Sequence, residues 1–233
     1  MYIKINGIEL YYEEYGDTSS RPMIFLHGNG GRSSKFERTR DFFICRRSMI
    51  FIDSRGHGGS FFDGRITIPM MACDVAEFIK AKKLKDVALI GFSDGGNIAL
   101  EAAAILGDTV KKLVVVGANT RLNGLKASAA AFIKAEYLGF CLAAPFSKKY
   151  KELKKHFEIM VKQPEISDEK LSKITAEALV VAGENDVIRD AHTREIAAKI
   201  KGARLEIVEG GDHFLFKKKN PEINAIIKNF VEG

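Results

Sequence analysis

Gly91-Phe92-Ser93-Asp94-Gly95 follows an apolar run, Val87-Ala88-Leu89-Ile90, and leads into Asn97-Ile98-Ala99-Leu100-Glu101-Ala102-Ala103-Ala104, a helix-forming run. The pattern predicts a strand, a sharp turn and a helix, with a serine held at the turn. Gly91 and Gly95 suit such a turn, because strand and helix approach each other where a β-carbon would clash. The geometry exposes the hydroxyl above the sheet and aims the first helical amides at any anion forming beside it.

A serine hydroxyl is a weak nucleophile unless a base takes its proton, and that base is most often a histidine steadied by a carboxylate. Both residue types stand at the ends of further apolar runs. Ala178-Leu179-Val180-Val181-Ala182-Gly183 is followed by Glu184-Asn185-Asp186, and Arg204-Leu205-Glu206-Ile207-Val208-Glu209 by Gly210-Gly211-Asp212-His213-Phe214. Open α/β sheets place their ligand-binding loops at such strand ends. On spacing alone, Glu184 and Asp190 compete with Asp186 for the carboxylate. Upstream, Pro22-Met23-Ile24-Phe25-Leu26 runs into His27-Gly28-Asn29-Gly30-Gly31, and Ile50-Phe51-Ile52 into Asp53-Ser54-Arg55-Gly56-His57-Gly58-Gly59-Ser60.

In this order the motifs resemble those of the α/β-hydrolase superfamily, where nucleophile, acid and base follow as Ser, Asp or Glu, His. The resemblance spans nearly the whole chain, from the first hairpin to the C-terminal helix. It implies Ser93 as nucleophile, His213 as base and Asp186 as acid, the last because Gly183-x-x-Asp186 is similar to the family's G-x-x-D turn. The H-G-x-G type of loop implies that the backbone amides of Asn29 and Asp94 form the oxyanion hole. The implied activity is hydrolysis of a small carboxylic ester through an acyl-enzyme, with no metal and no organic cofactor. Aminopeptidase, thioesterase, lactonase and carbon-carbon hydrolase activities share this triad, as does a cofactor-free perhydrolase or haloperoxidase. A non-catalytic ligand-binding member is a further alternative. A serine at position 93 argues against dehalogenase and epoxide hydrolase chemistry, which needs a carboxylate there.

Within the superfamily, the G-F-S-D-G-G elbow and the H-G-N-G-G loop are similar to the valacyclovir hydrolase (biphenyl hydrolase-like) group. That resemblance implies a substrate-binding role for the Asp94 side chain, facing a substrate ammonium group. The competing expectation is that Asp94 bonds to neighbouring loop amides or to a basic side chain. His27 and His57 are expected to hold loops by hydrogen bonds, and Asp53 and Arg55 to brace a loop as a pair.

The chain has 233 residues, 46% of them hydrophobic, enough for one domain with a sizeable core. No uninterrupted apolar run approaches the roughly 18 residues of a membrane span, and Met1-Tyr2-Ile3-Lys4-Ile5 opens as a strand, so a cytoplasmic protein without a membrane partner is expected. Cys45, Cys73 and Cys141 are odd in number and widely spaced, which points to buried thiols rather than disulfides or a zinc site. The net charge of +6 is carried mostly by scattered lysines without a nucleic-acid motif, and reads as a solvated surface. Expected partners are a small-molecule acyl substrate and at most a second copy in a homodimer.

Strands are predicted at about 2–5, 8–15, 22–27, 48–53, 86–91, 112–117, 178–183 and 204–209, and helices near 34–43, 69–82, 96–106, 190–200 and 220–231. The first two strands form a hairpin at Asn6-Gly7, and the others a mainly parallel sheet with helices on both faces. About fifty residues separate the sixth and seventh strands, more than a simple crossover needs. This stretch is helical in pattern, over 127–144, 148–162 and from 166, and Arg121 to Lys173 holds 11 basic against 6 acidic residues, a net of +5. It is expected to be a helical cap, 121–175, inserted into a core of 1–120 and 176–233. The resemblance implies that the cap selects the substrate.

Overall fold

A computed structural model describes residues 1–17, 20–43 and 47–233. Eight strands form one sheet: β1 (Tyr2–Ile5), β2 (Ile8–Tyr15), β3 (Met23–Leu26), β4 (Met49–Ile52), β5 (Val87–Phe92), β6 (Val110–Val116), β7 (Glu177–Gly183) and β8 (Arg204–Val208). Their spatial order is β1-β2-β4-β3-β5-β6-β7-β8. Only the β1–β2 and β2–β4 pairings are antiparallel. The hairpin turn forms at Asn6 and Gly7, both with positive φ, as a two-residue turn of matching twist requires.

Alternation along the central strands builds a core on each face of the sheet. Ile24 and Leu26 of β3 point to one core, and Met23 and Phe25 to the other. Helices α2 (Ile68–Ala81), α3 (Asp94–Leu106) and α7 (Asp190–Lys199) cover the first face. Helices α1 (Glu37–Phe43), α8 (Leu215–Lys218) and α9 (Asn220–Glu232) cover the second. Between β6 and β7 lie α4 (Ala127–Ala143), α5 (Lys148–Lys162) and α6 (Asp168–Ser172). Bridges from Arg121 to Glu165 and from Leu125 to Ile188 close the base of this insertion. Ser167 caps α6 by accepting from the Lys170 amide, and Leu171 of α6 is buried in the main core.

The chain reverses its direction of travel across the sheet between β3 and β5, which are neighbours in space. Loops leaving these two strands therefore flank a crevice at the carboxyl edge of the sheet, the usual position for a ligand in this architecture. Leu26 pairs with Gly91, which sets the loop after β3 level with Ser93.

Three details differ from expectation. Asp53 and Arg55 both brace loops, but not as a pair. Asp53 accepts from the amides of Ser33 and Gly59, whereas Arg55 is held bidentately by Asp74 of α2 at 2.7 and 2.6 Å. A helix brings Asp74 beneath the loop, which adjacency in sequence could not reveal. Cys73 is exposed and Cys141 half-buried, because Cys73 falls on the outer face of α2 and Cys141 on a helix with no buried residue. Cys45 lies outside the described residues. Finally, Ala127–Phe146 is a 20-residue helical stretch long and apolar enough to cross a bilayer by length and composition, although Lys134 and Glu136 interrupt it.

The Arg55–Asp74 pair is almost completely buried, so removing one partner strands a charge. Asp74→Asn is expected to lower the unfolding free energy by about 3–5 kcal/mol in urea titrations. A loss below about 1 kcal/mol would mean that solvent reaches the guanidinium.

Candidate active site

Strand β5 ends at Phe92, and the chain turns at Ser93 into α3. Ser93 has φ 54° and ψ −122°, a conformation that a non-glycine residue adopts only when its surroundings enforce it. The enforcement is visible in the glycines. A β-carbon on Gly91 would stand 2.1 Å from the carbonyl oxygen of Gly95, and one on Gly95 would stand 2.1 Å from that of Leu26. The Ser93 amide donates to Val116 of β6 at 2.8 Å, which fixes the turn from below.

Two further loops meet at the serine. The Ser93 hydroxyl donates to His213 Nε2 at 3.1 Å, and His213 Nδ1 donates to Asp186 Oδ1 at 2.8 Å. Asp186 is buried after β7 and also accepts from the Ile188 amide. The acid and base loops are locked together: the Glu184 amide donates to Val208 and the Asn185 amide to Gly211. Of the competing carboxylates, Glu184 is exposed and accepts from the Gly210 amide, while Asp190 is paired with Arg194. Neither reaches the histidine.

The loop with Asn29 lies against the serine, since a β-carbon on Gly28 would stand 3.0 Å from Ser93 Cβ. Among the described residues, the amides of Asn29 and Asp94 have no acceptor. His27 Nε2 accepts from the Ser54 amide and its Nδ1 donates to the Gly28 carbonyl, so the ring is held neutral, and burial pushes its pKa down. His57 donates from Nδ1 to the Arg55 carbonyl, and burial together with the neighbouring histidines pushes it down to about 3. On the His57 ring stacks His156 of α5, with centroids 4.2 Å apart. His156 Nε2 donates to the Gly56 carbonyl, and its own carbonyl accepts from Asn29 Nδ2 at 2.6 Å. The inserted helix is thus tied to the loop beside the serine.

A cavity of about 430 Å³ opens over Ser93 and His213. Its wall is mostly apolar, with Leu125, Ile133, Met160, Val187, Ile188 and Phe214 prominent, and no lysine or arginine lines it. Asp94 is its one anionic group. Asp94 Oδ1 accepts from Asn97 Nδ2 at 3.2 Å, and Oδ2 is buried without a partner among the described residues. Burial pushes its carboxyl up to about 6, against the Asn97 hydrogen bond and the nearby His213 charge, which favour ionisation. The expected loop-amide or basic partner for Asp94 is absent among the described residues.

Residues 23–223 match the Alpha/beta hydrolase family. The chain belongs to that family. Serine hydrolase BPHL of Mus musculus is 27% identical over 99% of this chain and 85% of its own length, in keeping with the resemblance to the biphenyl hydrolase-like group. Among solved structures, Est816, described as an N-acyl homoserine lactone degrading enzyme, is 25% identical over 99% of this chain and 100% of its own, with a TM-score of 0.81. An esterase from Exiguobacterium antarcticum shares the fold at a TM-score of 0.83, 24% identity and coverage of 100% and 99% of the two chains. As a member of that family the chain is a hydrolase, and its relatives include a serine hydrolase and an esterase.

Sequence reasoning missed Asn97 and His156. Asn97 stands one helical turn after Asp94, and its Oδ1 also accepts from the Asn119 amide. A polar residue in an otherwise apolar helix was the available signal. For His156 there was none, as its partner lies 127 residues away.

If Ser93 is strained as its dihedral angles indicate, glycine should relieve it. Ser93→Gly is expected to be more stable than Ser93→Ala by about 1 kcal/mol in urea unfolding, since both lose the hydroxyl and only one loses the strain. Equal stabilities would place the elbow in a relaxed conformation.

Proposed function

We propose that this chain hydrolyses carboxylic esters through an acyl-enzyme on Ser93. The observation that carries the reading is the Ser93–His213–Asp186 hydrogen-bonded series at the floor of an apolar cavity. Ser93 Oγ attacks the ester carbonyl as His213 Nε2 takes its proton, while Asp186 holds the tautomer with Nδ1 protonated and stabilises the imidazolium. The Asn29 and Asp94 amides, at the loop and the helix start beside Ser93, receive the oxyanion. The imidazolium then protonates the departing alkoxide. Water activated by His213 releases the acid, and all protons return to their starting places.

Ser93→Ala is expected to lower kcat by about 10⁴–10⁶-fold and to abolish labelling by a fluorophosphonate probe. Asp186→Asn should lose about 10⁴-fold through the wrong tautomer, and Glu184→Gln little. Labelling at another serine, or the reverse order of the two carboxylate variants, would overturn the assignment.

Asp94 supports a preference within this class, for esters whose acyl part carries an ammonium group. Its Oδ2 is buried and unpartnered among the described residues, it lines the cavity, and the cavity presents no lysine to repel a cation. A buried carboxylate of this kind gains about 1.5–3 kcal/mol from a charged hydrogen-bond donor. Asp94→Asn should therefore raise KM about 10–100-fold for an amino acid ester, relative to its desamino analogue. The sign of the pH effect follows from the raised pKa: Asp94 loses its charge as pH falls through about 6, so the KM ratio of the two esters should climb there. In the free protein the ionised form opposes folding above that pH, so the asparagine variant should gain stability over the parent as pH rises from about 4 to 7. Equal KM changes for both esters would leave Asp94 with a structural role.

A further inference from the structure

Helix α4 breaks the usual rule for a surface helix. Its outward positions follow helical spacing, Ala131, Phe132, Ala135, Leu138, Gly139 and Leu142, and the stripe continues through Pro145 and Phe146. Every one of these is exposed and none is polar; Leu142 is 78% and Phe146 89% accessible. The inward side is also apolar, with Phe140 packed on Tyr150 and Phe157 of α5, and Ala129 and Ile133 lining the catalytic cavity. A helix this apolar, with Lys134 and Glu136 as its charged side chains, belongs in a core or against lipid, and no residue of it is buried.

Charge indicates what covers it. At the end of the stripe, Phe61, Pro145, Phe146, Lys148 and Lys151 line one shallow cleft, and Phe61 is 67% accessible. Asp63 and Glu152 line the same cleft and hold Lys155, with Asp63 also near Lys151. Lys148, Lys149 and, along the helix, Lys134 are exposed and form no ion pair among the described residues. A second copy packed on this stripe would offer these lysines no carboxylate from the stripe, because none of the exposed residues of 127–146 is acidic. A phosphate-bearing surface would neutralise them.

We propose that α4 lies flat on an anionic lipid bilayer, with Leu138, Leu142, Phe146 and Phe61 in the acyl boundary and Lys134, Lys148 and Lys149 at the headgroups. The helix lies on the bilayer rather than spanning it, because one side is committed to α5 and to the cavity. Phe132 belongs both to the stripe and to the cavity wall, so the catalytic cavity adjoins the lipid boundary. The docking holds whatever ester the site prefers.

The test is co-sedimentation of the full chain with vesicles of phosphatidylcholine mixed with phosphatidylserine, and with pure phosphatidylcholine vesicles. The parent should bind the mixed vesicles, and more weakly at raised ionic strength. Leu138→Ser/Leu142→Ser/Phe146→Ser should lower partitioning by about tenfold or more, and Lys148→Gln/Lys149→Gln by about fivefold per lysine. None of these positions lines the catalytic cavity, and unchanged melting temperatures would show that each variant folds. Failure of the parent to bind mixed vesicles, unchanged binding by the triple variant, or equal binding to pure phosphatidylcholine would each overturn the proposal. So would a lipid-free dimer that the triple variant dissociates, since a second copy would then be the cover.

Discussion

Backbone packs against backbone at two points around one residue, and the site inherits its geometry from those contacts. The carbonyl of Leu26 approaches Gly95, the carbonyl of Gly95 approaches Gly91, and Ser93 between them is forced to a positive φ. Because β3 and β5 are neighbours in the sheet, the same close approach that bends the chain at Ser93 also brings the Asn29 loop alongside it. No side chain could fill these gaps, so the arrangement depends on residues that have none. What surrounds the serine is consequently rigid, while the pocket above it is built by helices that contribute side chains and can vary.

Much of this was legible because it is local. Strand boundaries followed from apolar runs ended by glycine, and Ser93, Asp186 and His213 each stand just past such a run, where a parallel sheet gathers its loops at one edge. The carboxylate was the least secure of the three, because Glu184, Asp186 and Asp190 share one loop region and a turn must be seen to know which one faces the histidine. Contacts across long sequence separation were not legible at all. Arg55 found Asp74 rather than Asp53, and Asn29 found the carbonyl of His156, because helix placement decides both. The outward stripe of α4 was hidden for another reason. An apolar helix reads the same whether its neighbours bury it or leave it bare, and only the packing of α5 distinguishes the two.

Charge inside the catalytic cavity is distributed unlike charge on the protein as a whole. The chain is basic, most strongly in the inserted helices, yet the cavity contains one acidic side chain and no lysine or arginine. The insertion achieves this by turning its lysines outward and its Ala, Phe, Ile and Met side chains towards the serine. Asp94 sits where a low dielectric amplifies its field, and Asn97 satisfies only one of its two oxygens.

The stacked rings of His57 and His156 join parts of the molecule that have different tasks. One ring belongs to the loop after β4, the other to α5, and the backbone beside His156 holds the side chain of Asn29. If the inserted helices swing outward to admit a bulky ester, this clasp must open or pull the Asn29 loop with it. In the proposed mechanism, entry and stabilisation of the oxyanion are then energetically linked: the Asn29 amide is in place only when the roof is seated. On that mechanism a substrate that keeps the roof ajar forfeits part of its own transition-state stabilisation, and the clasp would discriminate by size at the chemical step as well as at binding.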